Sequence, residues 1–196
     1  SAGIELEFAA QQTDRFDWAL SASYINAELD SSVTSIDSEG NISILAGLED
    51  GNRLPSVPEF QGAAAATYVI PMDNNWETYI HGIVQYVGDR VTQFGDYSEG
   101  FGFVNMLSFE EGGGGTIGGP LTQCCFTFDY ELPSYTTANA RIGMRNYKWD
   151  VAFYVNNFTN EQAYLALDQE RGTLARVGFL VNQPRTYGIT LRVGFE

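Results

Sequence analysis

Arg141 and Arg145 lie four residues apart, and Tyr79 and His81 two apart; these are the side chains whose types and spacing could do chemistry. On a β-strand both separations place the side chains on one face. Two arginines so placed can attract an anion such as a ferric siderophore or a sugar acid, or pair with carboxylates such as Glu5, Glu7, Glu77 and Asp150. His81 is the chain's one histidine, so a histidine-based metal site or catalytic triad lacks partners. It shares a polar face with Glu77, Tyr79 and Gln85 and reads as part of a polar network, with ligand contact or a pH-sensitive role as the alternative. Serines and carboxylates are plentiful but show no nucleophile–base spacing, and Gly112 to Gly115 are not followed by the Gly-Lys-Ser/Thr of a phosphate loop. Cys124 and Cys125 are adjacent. Neighbouring cysteines rarely bridge because the ring is strained, so they read as thiols, buried or partly oxidised, with a vicinal disulfide or a redox or metal role as the alternative. No catalytic residue, metal ligand or cofactor is assigned.

The elements that must carry these residues are strands. In 185–195, Tyr187, Ile189, Leu191, Val193 and Phe195 share one parity, while Thr186, Gly188, Thr190, Arg192 and Gly194 share the other. One face is apolar throughout and the other polar or bare, as in a strand that separates lipid from a watery lumen. The same alternation recurs in 3–11, 17–29, 59–70, 76–90, 135–146 and 149–157, giving about seven strands. Three connections are short turns: Thr13-Asp14-Arg15, Pro71 to Asn75, and Asn146-Tyr147-Lys148. Three are long: 30–58, 91–133 and 158–184. They alternate short, long, short, long, as periplasmic turns and extracellular loops do in outer-membrane barrels. Trp18, Trp76 and Trp149 each open a strand just after a short turn, which suits a periplasmic aromatic girdle. Residues 101–109 and 121–130 could pair as a hairpin above the membrane. Seven strands cannot close a barrel, so the fold class expected is an all-β transmembrane antiparallel barrel, of which this chain is a piece.

Composition agrees. The chain has 196 residues, 44% of them hydrophobic and 14% aromatic, with a formal net charge of -15. Mean hydropathy is -0.16, as expected where half the strand positions are polar. No apolar run approaches the ~18 residues of a transmembrane helix. The acidic balance and the lack of a basic cluster exclude nucleic acid as a partner. The long loops carry Tyr97, Phe101, Phe103, Phe109, Phe126, Phe128 and Tyr164, which suit ligand stacking or packing among loops.

Four stretches, in order along the chain, resemble TonB-dependent outer-membrane receptors: Gly3-Ile-Glu-Leu-Glu-Phe8, Gly51-Asn-Arg-Leu-Pro-Ser-Val-Pro58, Val155-Asn-Asn-Phe-Thr-Asn160 and Pro184-Arg-Thr-Tyr-Gly-Ile-Thr-Leu-Arg-Val-Gly-Phe195. Glu196 after Phe195 departs from the family's usual terminal aromatic. The resemblance implies that residues 1–196 are the C-terminal part of a 22-stranded barrel in the bacterial outer membrane, with the plug domain upstream. It implies active uptake of a scarce siderophore-, cobalamin- or glycan-type nutrient, powered by an inner-membrane complex whose energy-transducing periplasmic protein contacts the plug. The partners implied are a small-molecule or oligosaccharide ligand, that periplasmic protein and outer-membrane lipid. A surface lipoprotein lid, as in glycan-importing relatives, is left open. Expected ligand-facing residues are Tyr79, His81, Arg141 and Arg145 on the lumen face and Tyr97 and Phe101 in an outer loop. The rival functions are a passive porin and a small barrel serving as an enzyme or adhesin scaffold; the chain is not expected to be an enzyme.

Overall fold

The computed structural model describes residues 1–45, 47–97, 102–105, 125–127, 131–169 and 177–195. Seven long strands form one sheet: β1 (Ala2–Thr13), β2 (Phe16–Asn26), β5 (Phe60–Pro71), β6 (Glu77–Val87), β9 (Tyr135–Arg145), β10 (Trp149–Asn156) and β13 (Thr186–Val193). Their order is β1-β2-β5-β6-β9-β10-β13, and every neighbouring pair is antiparallel. The remaining short strands form three two-stranded ribbons: β3 (Thr34–Ile36) with β4 (Ile42–Ile44), β7 (Phe103–Asn105) with β8 (Cys125–Thr127), and β11 (Tyr164–Gln169) with β12 (Val177–Val181). Each ribbon lies within one of the three long connections, so all three rise from the same end of the sheet. The β7–β8 pairing is the hairpin expected from 101–109 and 121–130, in three residues per strand.

The strands form where the two-residue alternation is unbroken and stop where turn chemistry intervenes. The Thr13 hydroxyl accepts from the Arg15 amide at 3.2 Å. Asn74 and Asn75 take up positive φ, 60° and 61°, which asparagine tolerates better than most residues. The Asn146 side chain accepts from the amides of Lys148 and Trp149 at 2.8 and 2.7 Å. Several strands are shorter than their sequence pattern: β2 ends at Asn26 rather than at 29. β6 ends at Val87, so Asp89 lies beyond it in the outer connection rather than on the strand's polar face, and β13 ends at Val193.

Registers show that the parities agree across the whole sheet. Phe8, Leu20, Ala64, Val84 and Ala138 form one cross-strand row, and Phe16, Tyr68, Ile80, Ile142, Phe153 and Ile189 another. This face holds the exposed large hydrophobics of the sheet, with Ile189 75% exposed. An apolar surface this extensive is not viable in water and is what a lipid-facing wall requires. The sheet has no apolar core of its own. Of the six buried apolar residues among those described, Ala27, Val91, Leu132 and Ala163 belong to the long connections. The outer connections therefore pack on one another, and the sheet stands as a wall between two media.

Candidate functional site: the lumen wall

The face opposite the apolar one divides into belts along the strands. At the short-turn end, the registers bring Glu77, Arg145, Asp150 and Arg192 into one row, and Tyr79, Gly143, Ala152 and Thr190 into the next. With Arg141 of the next row, Tyr79 and the charged residues among these form a network. The Tyr79 hydroxyl donates to Asp150 at 2.8 Å and accepts from the Arg141 Nε at 3.0 Å. Arg141 and Arg192 each approach the other Asp150 oxygen at 3.7 Å, and Arg145 pairs with Glu77. The Tyr79 ring lies beneath two guanidinium groups, 5.8 Å from Arg141 and 5.2 Å from Arg145. It also lies against bare backbone: a Cβ at Gly143 would fall 2.6 Å from a Tyr79 ring carbon. Tyr154 covers Gly188 likewise, with 2.7 Å between its hydroxyl and the missing Cβ. A glycine opposite a large aromatic lets the ring lie flat across the neighbouring strand. Of the three arginines here, Arg192 is the most open, its side chain 68% exposed.

One row further from the turns, Gln11, Asp17, Thr67, His81, Arg141 and Tyr154 align. His81 Nδ1 lies 3.1 Å from the Thr67 hydroxyl. Beyond this comes a strip without hydrogen-bonding side chains over four strands: Ala9, Ala19, Ala65 and Ile83. An outer belt follows, in two rows. One runs Glu7, Ser21, Ala63, Gln85 and Thr137, the other Glu5, Ser23, Gln61, Val87 and Tyr135. These rows line a hollow of about 490 Å³, which Leu165 and Asn182 of the third long connection also reach.

The outer connections are held over this hollow by polar clamps. The buried Arg90 guanidinium donates to the carbonyl oxygens of Tyr164 and Leu165 at 2.9 and 3.4 Å and sits 5.5 Å above the Tyr135 ring. Asn157, also buried, donates to the carbonyls of Glu161 and Gln183 at 2.8 and 2.9 Å and so ties both ends of the third connection together. Arg53 pairs with Asp89 at 2.8 Å and with Glu59 at 3.4 Å. The Arg53 guanidinium holds the Asp89 carboxyl below the usual carboxylate range. Arg53 and Asn157 belong to the Gly-Asn-Arg-Leu-Pro and Val-Asn-Asn-Phe-Thr-Asn stretches, and these contacts are the physical work of those stretches.

Of the residues expected at the site, Tyr79, His81, Arg141 and Arg145 all lie on the face opposite the apolar one, and three of them meet in one network. Tyr97 ends a 3-10 turn, Phe94–Tyr97, in the second outer connection, and Phe101 lies outside the described residues. Sequence reasoning named Asp150 and Glu77 among the available acidic partners but did not single out Asp150 as the hub. It missed Ser23, Arg90 and the buried Asp96, whose Oδ2 accepts from the amides of Thr92 and Gln93 at 2.6 and 3.0 Å. The expectation of thiols is corrected at Cys125, which is disulfide-bonded; Cys124 lies outside the described residues. Among the described residues no group of three His, Cys, Asp or Glu side chains could hold a metal ion.

The sequence model of the family described as TonB dependent receptor-like, beta-barrel, matches residues 1–158. No curated protein matches the chain. Among solved structures, the ferric yersiniabactin uptake receptor FyuA from Yersinia pestis superposes with a TM-score of 0.65 at 17% identity, covering 99% of this chain and 23% of that one. The siderophore receptor PiuA from Acinetobacter baumannii superposes with a TM-score of 0.62 at 17% identity, covering 96% and 21%. BauA, the ferric preacinetobactin receptor from the same organism, gives 0.55 at 17% identity, with coverage of 96% and 21%. The chain thus spans less than a quarter of the length of these receptors, and the likeness is one of fold.

Proposed function

The chain belongs to the TonB-dependent receptor-like β-barrel family, and on that premise we propose that it is the C-terminal wall of a bacterial outer-membrane receptor that actively takes up a scarce nutrient. The observation that carries this reading is the two-faced sheet with all three long connections at one end: an apolar face for lipid, a polar face for a lumen, and an outer rim that can meet a ligand. In this reading the outer connections, including Tyr97 and Phe101, and the lumen residues Tyr79, His81, Arg141 and Arg145 form the ligand path. The inner network around Asp150 faces a plug encoded upstream, and the plug couples to an energy-transducing periplasmic protein. The three structural relatives are receptors for siderophores or their ferric complexes, which makes a siderophore-type cargo the first to test. The barrel does no covalent chemistry on it.

The test is uptake by cells carrying the full-length protein, with and without the inner-membrane energy-transducing complex. Accumulation against a gradient that collapses without the complex supports the receptor. Flux that continues unchanged without it would establish a passive porin instead.

A further inference from the structure

We propose that Asp89, Arg90 and Val91 form a junction that couples the three outer connections, so that opening of one is transmitted to the other two. The inference goes beyond the receptor reading and does not depend on it.

The junction lies where the second connection leaves β6, and it grips the connections on both sides. It holds the first with three bonds. Arg53 Nη1 pairs with the Asp89 carboxylate at 2.8 Å, and Arg53 Nη2 donates to the Asp89 carbonyl at 3.0 Å. The Ser56 amide donates to the carbonyl of buried Val91 at 2.9 Å. It holds the third through Arg90, whose guanidinium donates to the carbonyls of Tyr164 and Leu165. Backbone bonds of 3.0 and 2.9 Å join Arg90 to Leu132 at the far end of the second connection, and Leu132 is fully buried.

Contacts transmit motion only between parts that are themselves stiff. Each connection starts as two facing arms: Glu28 bridges Arg53, Arg90 bridges Leu132, and Tyr164 pairs with Val181. Arg53, Arg90 and Tyr164 are members of these pairs, so the bonds run from stem to stem. The first stem is zipped further by the amides of Leu29, Gly51 and Leu54, which donate to the carbonyls of Asn52, Leu29 and Ala27 at 2.9, 2.9 and 2.8 Å. The third is closed by the Ala163 amide, which donates to the Asn182 side chain at 3.0 Å. Arg90 also resists separation. It is 7% exposed, and among the described residues no carboxylate pairs with it. A buried guanidinium stripped of its carbonyl acceptors is costly. The third stem therefore cannot draw away without loosening the second, and the second carries Asp89 and Val91 with it.

The test is hydrogen exchange, read by mass spectrometry on the full-length protein in outer-membrane vesicles. No cargo or energy source is present, so the result is independent of any uptake measurement. Arg90→Gln removes the grip on the third connection. It should speed exchange by about tenfold not only there but also at Leu29, Gly51 and Leu54, to which Arg90 makes no hydrogen bond. Asp89→Asn tests transmission in the other direction and keeps the side-chain shape, should Arg90→Gln fail to assemble. It leaves two of the three bonds to the first connection in place, so about a threefold rise at Ala163 is expected. Faster exchange confined to the connection that lost its bond would overturn the proposal. So would a rise that extends into β5, β6 and β9, because that is a general loosening and not coupling among the stems.

Discussion

The two polar belts of the wall differ in one residue type: the inner belt carries three arginines and the outer rows none. In the inner belt, Asp150 gathers Tyr79, Arg141 and Arg192, while Glu77 holds Arg145, so each acid meets a base. In the outer belt, Glu5, Glu7, Ser23, Gln61 and Gln85 share a hollow and make no side-chain hydrogen bond or ion pair among the described residues. The difference follows from the cations: carboxylates that meet guanidinium groups form ion pairs, although one Arg141 nitrogen, Nη2, is buried without a hydrogen bond. A network whose donors and acceptors pair with one another stiffens the wall.

The largest expected effect tests the frame on which both belts depend. Leu191→Arg should cost roughly 2–4 kcal/mol in urea unfolding from lipid vesicles, because it drives a charge into hydrocarbon. Thr190→Arg, one residue away on the lumen face, should be tolerated far better, and equal costs would mean that the belts do not face a lumen. Within the inner belt, Asp150→Ala should destabilise by about 2 kcal/mol, since it leaves a tyrosine hydroxyl and two guanidinium groups without their acceptor. Gly143→Ala should cost about 1–3 kcal/mol by forcing the Tyr79 ring off its neighbour. Gly82→Ala is the control: it faces lipid, and its nearest neighbouring atom would be 3.9 Å from the new Cβ. It should be neutral or stabilising by up to about 0.5 kcal/mol.

In the outer belt, Glu5→Gln with Glu7→Gln should change stability by no more than about 0.5 kcal/mol. A larger loss would show that the belt is as closed as its counterpart. The smallest effect concerns the clamp above it. Because Arg53 depresses the Asp89 carboxyl, the pair's contribution is complete above the ordinary aspartate value and is lost as pH falls through the lower folded one. Hydrogen exchange of the backbone amides in segment 52–59, corrected for its intrinsic pH dependence, should therefore be indifferent to pH down to about 4 and rise below it. Asp89→Asn should remove that rise.

The seven strands were legible because alternation over eight to twelve residues is a strong signal and one face had to be apolar throughout. The β3–β4 and β11–β12 ribbons were not, because strands as short as Thr34–Ile36 or Val177–Val181 carry too few alternations to stand out. At the site, parity placed Tyr79, His81, Arg141 and Arg145 on one face. It could not say which of the available acids met which arginine. That depends on register, which the turns set by their geometry: the Asn146 turn puts Asp150 opposite Arg145, with the chain of pairs following from it. Ser23 was invisible for another reason. Its interest lies in a missing partner, and no sequence pattern records what a hydroxyl fails to touch.

The strip of Ala9, Ala19, Ala65 and Ile83 has a consequence for passage. On the receptor reading proposed above, a solute leaving the outer belt releases its contacts before it reaches the Gln11, Asp17, Thr67 and His81 row, four positions further along. Over that gap of about 13 Å at ~3.3 Å per residue, methyl groups neither pull nor brake. On that reading the wall has one blank step between two polar belts, and a solute crossing it meets no hydrogen-bonding side chain on these four strands.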